Sequence, residues 1–158
     1  MRRLAKARRA VEAGYLVSFH FDPIIHVDDY KDRYAEVIRR LSEFPDERIA
    51  WISMGTVRFT RSLRERMRPR PYLFDEFVPG RDGKLRYLQT VRSEIYRTVR
   101  DLIAGATAAP VYMCMESAEV WKKVFGALPQ EIPQLDPIFR PIKGIPDHGR
   151  IGAGRLGR

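Results

Sequence analysis

Short apolar runs rich in β-branched and aromatic residues alternate here with stretches whose apolar residues recur every three or four positions. That alternation restricts the fold more than any other feature. Residues 16–21 read as a buried strand ending at Asp22-Pro23, residues 49–53 as a second strand with Gly55 just after it, and residues 111–115 as a third. Between them the period lengthens. Leu4, Ala7, Ala10 and Val11 mark a helix over 3–13 that Gly14 stops. Asp28 or Asp29 caps a second helix with the face Tyr30, Tyr34, Val37, Ile38 and Leu41, which Pro45 ends. Thr60 caps a short basic helix to about Met67, closed by Pro69 and Pro71. A strand candidate at 72–74, the turn Pro79-Gly80-Arg81-Asp82-Gly83 and an extended stretch at 84–88 come next. From Thr90 a long helix carries Val91, Ile95, Val99, Leu102 and Ile103 and stops at Gly105. Ser117 caps a last one with Val120, Trp121, Val124 and Phe125, which Gly126 ends. Alternating helices and strands predict an α/β fold with a mainly parallel sheet.

The 158 residues suit one domain, here placed at 1–127. Residues 128–158 differ. Pro129, Pro133, Pro137, Pro141 and Pro146 break every candidate helix, so an irregular tail without an apolar face is expected. No run of 18 apolar residues is present, and the start Met-Arg-Arg-Leu-Ala-Lys-Ala-Arg-Arg lacks a secretory apolar stretch. A cytoplasmic protein with no membrane partner is therefore expected. One cysteine excludes a disulfide framework and a Cys-only zinc or iron–sulfur site built by this chain alone. The net charge of +9 suits a nucleic-acid partner.

Strand parity selects the candidate site residues. Ser18, His20 and Asp22 share one face of the first strand, with Phe19 and Phe21 opposite. Tyr112, Cys114 and Glu116 share a face of the third, with Val111, Met113 and Met115 opposite. Asp22 and Glu116 thus close two strands at their carboxyl-terminal ends, where parallel α/β folds bind ligands. Each also suits a plain capping role. His20 and His26, separated by a proline-containing loop, form no metal motif and read as satisfied strand and loop histidines. Cys114 reads as a small buried apolar residue. Two basic clusters stand out. Arg58, Arg61, Arg64, Arg66, Arg68 and Arg70 read as a solvated helix face. Lys84, Arg86 and Arg92 surround Tyr87 beside the glycine-flanked turn, a composition that suits phosphate contact with base stacking. The plainer reading turns Tyr87 inward and leaves only the cations exposed.

Several segments in register carry a resemblance to the spore photoproduct lyase family of radical SAM enzymes. They are Ala10-Val11-Glu12-Ala13-Gly14-Tyr15, Phe19-His20-Phe21-Asp22-Pro23-Ile24-Ile25-His26 and Trp51-Ile52-Ser53-Met54-Gly55-Thr56-Val57-Arg58-Phe59. Glu76-Phe77-Val78-Pro79-Gly80, Asp82-Gly83-Lys84-Leu85-Arg86-Tyr87 and Val111-Tyr112-Met113-Cys114-Met115-Glu116-Ser117 extend it, so that it covers about residues 3 to 126. Asp22 departs from it, since some members are apolar there.

The resemblance implies a partial (β/α) barrel of radical SAM type. It implies a [4Fe–4S] cluster held by Cys-x3-Cys-x2-Cys that cleaves S-adenosylmethionine reductively. The radical so formed starts repair of a UV-induced thymine lesion in DNA. On the same basis Asp22, Ser53 and Glu116 would line the rim of the S-adenosylmethionine site. Lys84, Arg86 and Tyr87 match a basic hairpin implicated in DNA contact, and Arg92 joins them. This sequence contains no Cys-x3-Cys-x2-Cys. It resembles the family from about the fourth βα unit, so a carboxyl-terminal half is expected, inactive alone and binding no cluster by itself. It would act on DNA with a separately encoded amino-terminal half. The alternative is a non-catalytic, basic nucleic-acid-binding module.

Overall fold

The computed structural model describes residues 2–67 and 77–139. In chain order the first elements are helix α1 (Arg2–Glu12), strand β1 (Val17–Ile24), helix α2 (Tyr30–Arg39) and strand β2 (Ile49–Thr56). Strand β3 (Arg58–Phe59), helix α3 (Arg61–Arg66) and strands β4 (Phe77–Pro79) and β5 (Leu85–Tyr87) follow. Helix α4 (Gln89–Ala104), strand β6 (Val111–Met113), helix α5 (Ala118–Phe125) and helix α6 (Asp136–Phe139) complete the order. Single turns of 3₁₀ helix at Arg40–Glu43, Asp46–Arg48, Pro129–Glu131 and Pro133–Leu135 serve as connectors.

The local signals act where the sequence puts them. Thr60 and Ser117 each accept a hydrogen bond from the backbone N–H three residues on, which starts α3 and α5. Gly126 ends α5 with φ +74°, and Gly14 follows α1 with φ +90°. Glycine adopts that left-handed backbone without a Cβ penalty. Asp29 precedes α2 but its side chain makes no capping bond. The strand candidate at 72–74 lies outside the described residues.

Strands β1, β2 and β6 form a parallel sheet in the order β1-β2-β6, and the fold is α/β. One face of this sheet is apolar. Ile52 and Met54 of β2 and Met113 of β6 are buried there with Ile38 of α2, Ile95, Val99 and Ile103 of α4, and Val120 and Val124 of α5. Each such fully buried aliphatic side chain contributes about 1.5–3 kcal/mol. Ile95, Val99 and Ile103 recur every fourth residue and form the inward ridge of α4. Leu4, Ala7 and Val11 pack the inner side of α1 onto the same core.

A second sheet, antiparallel and ordered β3-β5-β4, sits beyond the carboxyl-terminal end of β2. The sequence reading did not include this pairing. Its inward side is aromatic: Phe77 lies 4.8 Å from both Phe59 and Tyr87.

Residues 128–139 correct the expectation of a tail without an apolar face. Leu135 is 1% exposed, and Leu128, Ile132 and Ile138 pack against the core. The prolines that exclude a long helix start the two 3₁₀ turns instead, each at the first position, where a missing N–H costs nothing. Residues 140–158 of the expected tail lie outside the described residues. No helix among the described residues is long and apolar enough to cross a membrane.

Candidate functional site

The face of the parallel sheet opposite the helices carries polar residues in two rows. Register pairs His20 with Ser53 and Ser53 with Tyr112, so these three side chains stand abreast. His20 Nδ1 and Ser53 Oγ share a hydrogen bond of 2.6 Å. One step towards the carboxyl-terminal rim come Asp22, Gly55 and Cys114. The Asp22–Pro23 peptide is cis, and the Asp22 carboxylate lies directly over Gly55. A Cβ on Gly55 would stand 2.6 Å from Asp22 Cγ. Glycine in the strand therefore makes room for a carboxylate.

Arg58 spans this row from the start of β3. Its Nη1 donates to the Cys114 carbonyl at 3.0 Å, and its Nη2 lies 3.6 Å from Asp22 Oδ2 and 3.8 Å from Cys114 Sγ. Burial opposes the Arg58 charge, yet Cys114 and Asp22 outweigh it and hold the guanidinium above its ordinary pKa. Asp22 lies over Gly55 and beside Arg58, and Ser53 is held by His20. Arg58 and Gly55 were not among the candidates. The sequence put Gly55 just after the second strand; β2 runs on to Thr56, and a glycine inside a strand marks close approach. Arg58 was grouped with the solvated basic helix, but it precedes that helix and turns into the rim. Of the rest of that cluster, Arg64 lies 5.8 Å from the Phe77 ring centre, and Arg68 and Arg70 lie outside the described residues.

Glu116 follows β6, but its carboxylate is taken up by Arg92 and Tyr96. Period-two parity required an extended chain from Tyr112 to Glu116. Met115 instead adopts φ +59° and turns the chain after Cys114. The Glu116 carboxylate then points into the fold. Arg92 Nε donates to its Oε1 at 3.0 Å and Tyr96 Oη donates to the same oxygen at 3.0 Å. Tyr96 Oη in turn accepts from the Thr56 N–H at 2.9 Å. Burial, then the Glu116 charge, pushes the Tyr96 phenol well above its ordinary pKa.

The hairpin cluster also divides. Tyr87 does not protrude: it is 1% exposed, stacked near Phe77, with its hydroxyl accepting from the His26 N–H at 3.3 Å. Alternation in β5 explains this. Leu85 and Tyr87 share the inward face, and Lys84 and Arg86 fall on the other. Arg92 is buried, and its guanidinium is engaged by Glu116 and by the Tyr87 carbonyl. Tyr87 is turned inward, and the Arg92 charge is already paired. Arg86 packs over Gly80 and pairs with Asp82, and Lys84 is half-buried. Between this turn and the β6–α5 connection an open cleft of about 860 Å³ is walled by Arg81, Asp82, Arg86, Met115 and Glu119.

The residues present do not fit an iron–sulfur cluster, which takes several thiolates. The sequence holds one cysteine, and no group of three or more His, Cys, Asp or Glu among the described residues could hold a metal ion. The rim suits a zwitterionic ligand instead. A carboxylate and a guanidinium stand side by side there, each only partly screened by water.

No protein-family model matches the chain, and no curated protein matches it in sequence. Two solved structures match its fold. One is a doubly substituted mutant of spore photoproduct lyase with bound AdoMet and dinucleoside spore photoproduct, at a TM-score of 0.60 and 25% identity. The other is spore photoproduct lyase complexed with dinucleoside spore photoproduct, at a TM-score of 0.57 and 26% identity. In each case the match covers 71% of this chain and 37% of the other.

Proposed function

We propose that this spore photoproduct lyase-like chain forms the carboxyl-terminal strands of a DNA-lesion lyase and presents the Asp22–Arg58 rim to S-adenosylmethionine. The observation that carries the reading is the fold match to an AdoMet- and lesion-bound lyase over 71% of the chain. The geometry supports it. S-adenosylmethionine carries a sulfonium, an ammonium and a carboxylate. Asp22 suits either cation, and the Arg58 fork suits the carboxylate. The Ser53–His20 bond beneath them holds the floor of the rim. Lys84, with Arg86 once released from Asp82, would meet the phosphates of the lesion-bearing strand. Radical formation needs a cluster, whose thiolates this sequence does not contain. The chain alone is therefore expected to bind S-adenosylmethionine without cleaving it.

Calorimetric titration of the chain with S-adenosylmethionine tests the reading. Saturable binding is expected, weakened at least tenfold by Asp22→Asn. Absence of binding by the wild-type chain would overturn it. The single cysteine favours one other reading, a non-catalytic nucleic-acid-binding module. DNA binding with no response to S-adenosylmethionine would support that reading instead.

A further inference from the structure

Helix α1 carries its charge against the ordinary rules of helix stability. Arg2 and Arg3 occupy its first turn, which holds no acidic residue. Cations there oppose the helix dipole. Arg2 and Lys6 stand four residues apart, and Lys6 and Arg9 three, so like charges neighbour each other along one ridge. All four are exposed. No carboxylate is paired with Arg2, Lys6 or Arg9 among the described residues. By contrast Arg8 pairs with Glu43, Arg33 with Asp29 and Arg100 with Asp101. Arg9, in the last turn, complements the dipole, but a stripe whose members repel one another is maintained at a cost in stability, and such local conflicts mark functional surfaces.

The stripe faces away from the protein. Leu4, Ala7 and Val11 lie on the other side of α1 and are packed on the core. That packing selects the partner. A membrane-surface helix inserts its apolar side among lipids, and here that side is already occupied. What remains is a rigid row of cations spread over about 10 Å of helix axis. DNA presents one negative charge per about 1.7 Å of its own axis, so several phosphates fall within that span.

We propose that Arg2, Lys6 and Arg9 form a docking ridge for the phosphate backbone of double-stranded nucleic acid, separate from the rim. The ridge is sequence-independent and holds the duplex by charge alone. The proposal rests on the reading that DNA is the partner of this chain, but not on the S-adenosylmethionine site.

The test compares binding of a lesion-free duplex to the full chain, to the triple variant Arg2→Gln, Lys6→Gln, Arg9→Gln, and to the control Lys122→Gln, Lys123→Gln on α5. The triple variant is expected to bind at least tenfold more weakly at low salt. The slope of log affinity against log salt should shrink by about 2 to 3, near 0.9 per lost phosphate contact. The control should lose far less. Losses in proportion to the charges removed, three against two, would reduce the effect to net charge and overturn the ridge. Unchanged binding by the triple variant would overturn it too, as would a wild-type chain that binds no duplex. Vesicles of phosphatidylcholine with phosphatidylserine form a further arm. Vesicle binding lost in the triple variant while duplex binding is kept would assign the ridge to membranes. S-adenosylmethionine titration of the same variant keeps the two readings apart, because the rim is untouched.

Discussion

Arg92–Glu116 and Arg58–Asp22 are the same chemical pair in two environments. The first pair is closed. Its side chains are 8% and 3% exposed, its N–O distance is 3.0 Å, and Tyr96 and the Tyr87 carbonyl take up further bonding capacity. The second is open, at 20% and 28% exposure and 3.6 Å. A buried pair with every partner in place fixes the parts that carry it and has little left to offer a ligand. An open pair is weakly held by its own attraction, because water screens it. Its charges therefore remain available. Both lie near the carboxyl-terminal ends of parallel strands. Burial, rather than residue type or strand position, separates scaffold from site.

Removing one carboxylate from each pair tests that division most sharply. Glu116→Ala leaves the Arg92 guanidinium buried without its counter-charge, and such losses cost about 3–5 kcal/mol. The urea midpoint of Glu116→Ala should fall far below that of the wild type. Asp22→Ala leaves Arg58 partly in water, still bonded to the Cys114 carbonyl, and should cost under about 1 kcal/mol. Equal losses in the two variants would show that burial is not what distinguishes them.

The same contrast explains what the sequence could and could not disclose. Helix starts and stops were legible because each rests on one local bond or one backbone angle, as at Ser117 and Gly126. Strand parity put His20 beside Ser53 because β1 and β2 stay in register up to Phe21; at Asp22 the register shifts, and the carboxylate comes to lie over Gly55. Parity did not disclose that Glu116 pairs with Arg92 and Tyr96, because Met115 leaves the extended region and nothing in its side chain announces this. Tyr87 was legible by alternation, since Leu85 and Tyr87 share a face, but the basic residues around it pointed outward. The pairing of β3 with β5 joins segments far apart in the chain through short strands, and that carries almost no local pattern. Arg58 therefore gave no sign that it would turn towards Asp22.

Tyr96 extends the closed region and gives it a pH signature. Tyr96→Phe removes the acceptor for the buried Thr56 N–H and the donor to Glu116. An unmet buried group costs about 1–3 kcal/mol, so a loss near the lower bound is expected. The folded phenol titrates above its ordinary value of 10.0. Its contribution is fully present below pH 10 and declines as the pH rises further, because only the unfolded chain ionises readily there. The stability difference between wild type and Tyr96→Phe should be flat from pH 7 to pH 9 and should narrow above pH 10. A difference that stayed constant to higher pH would mean that the phenol is not held in the closed network.

Gly55→Ala probes the open region with the smallest change. The added Cβ would meet the Asp22 carboxylate at 2.6–2.7 Å, closer than real contacts allow. The atoms it meets belong to a mobile carboxylate and not to backbone. Asp22 can therefore swing aside, and the midpoint for unfolding should scarcely move. The cost should appear in binding. With Asp22 displaced, S-adenosylmethionine affinity should fall several-fold, in the direction of Asp22→Asn but less far. The double variant Gly55→Ala, Asp22→Asn should bind no more weakly than Asp22→Asn alone, because both changes act through one carboxylate and their effects do not add. Additive losses would give Gly55 a contact of its own with the ligand. A large fall in stability with unchanged binding would make the approach of Asp22 to Gly55 part of the scaffold, and the two arginine–carboxylate pairs would then belong to one class.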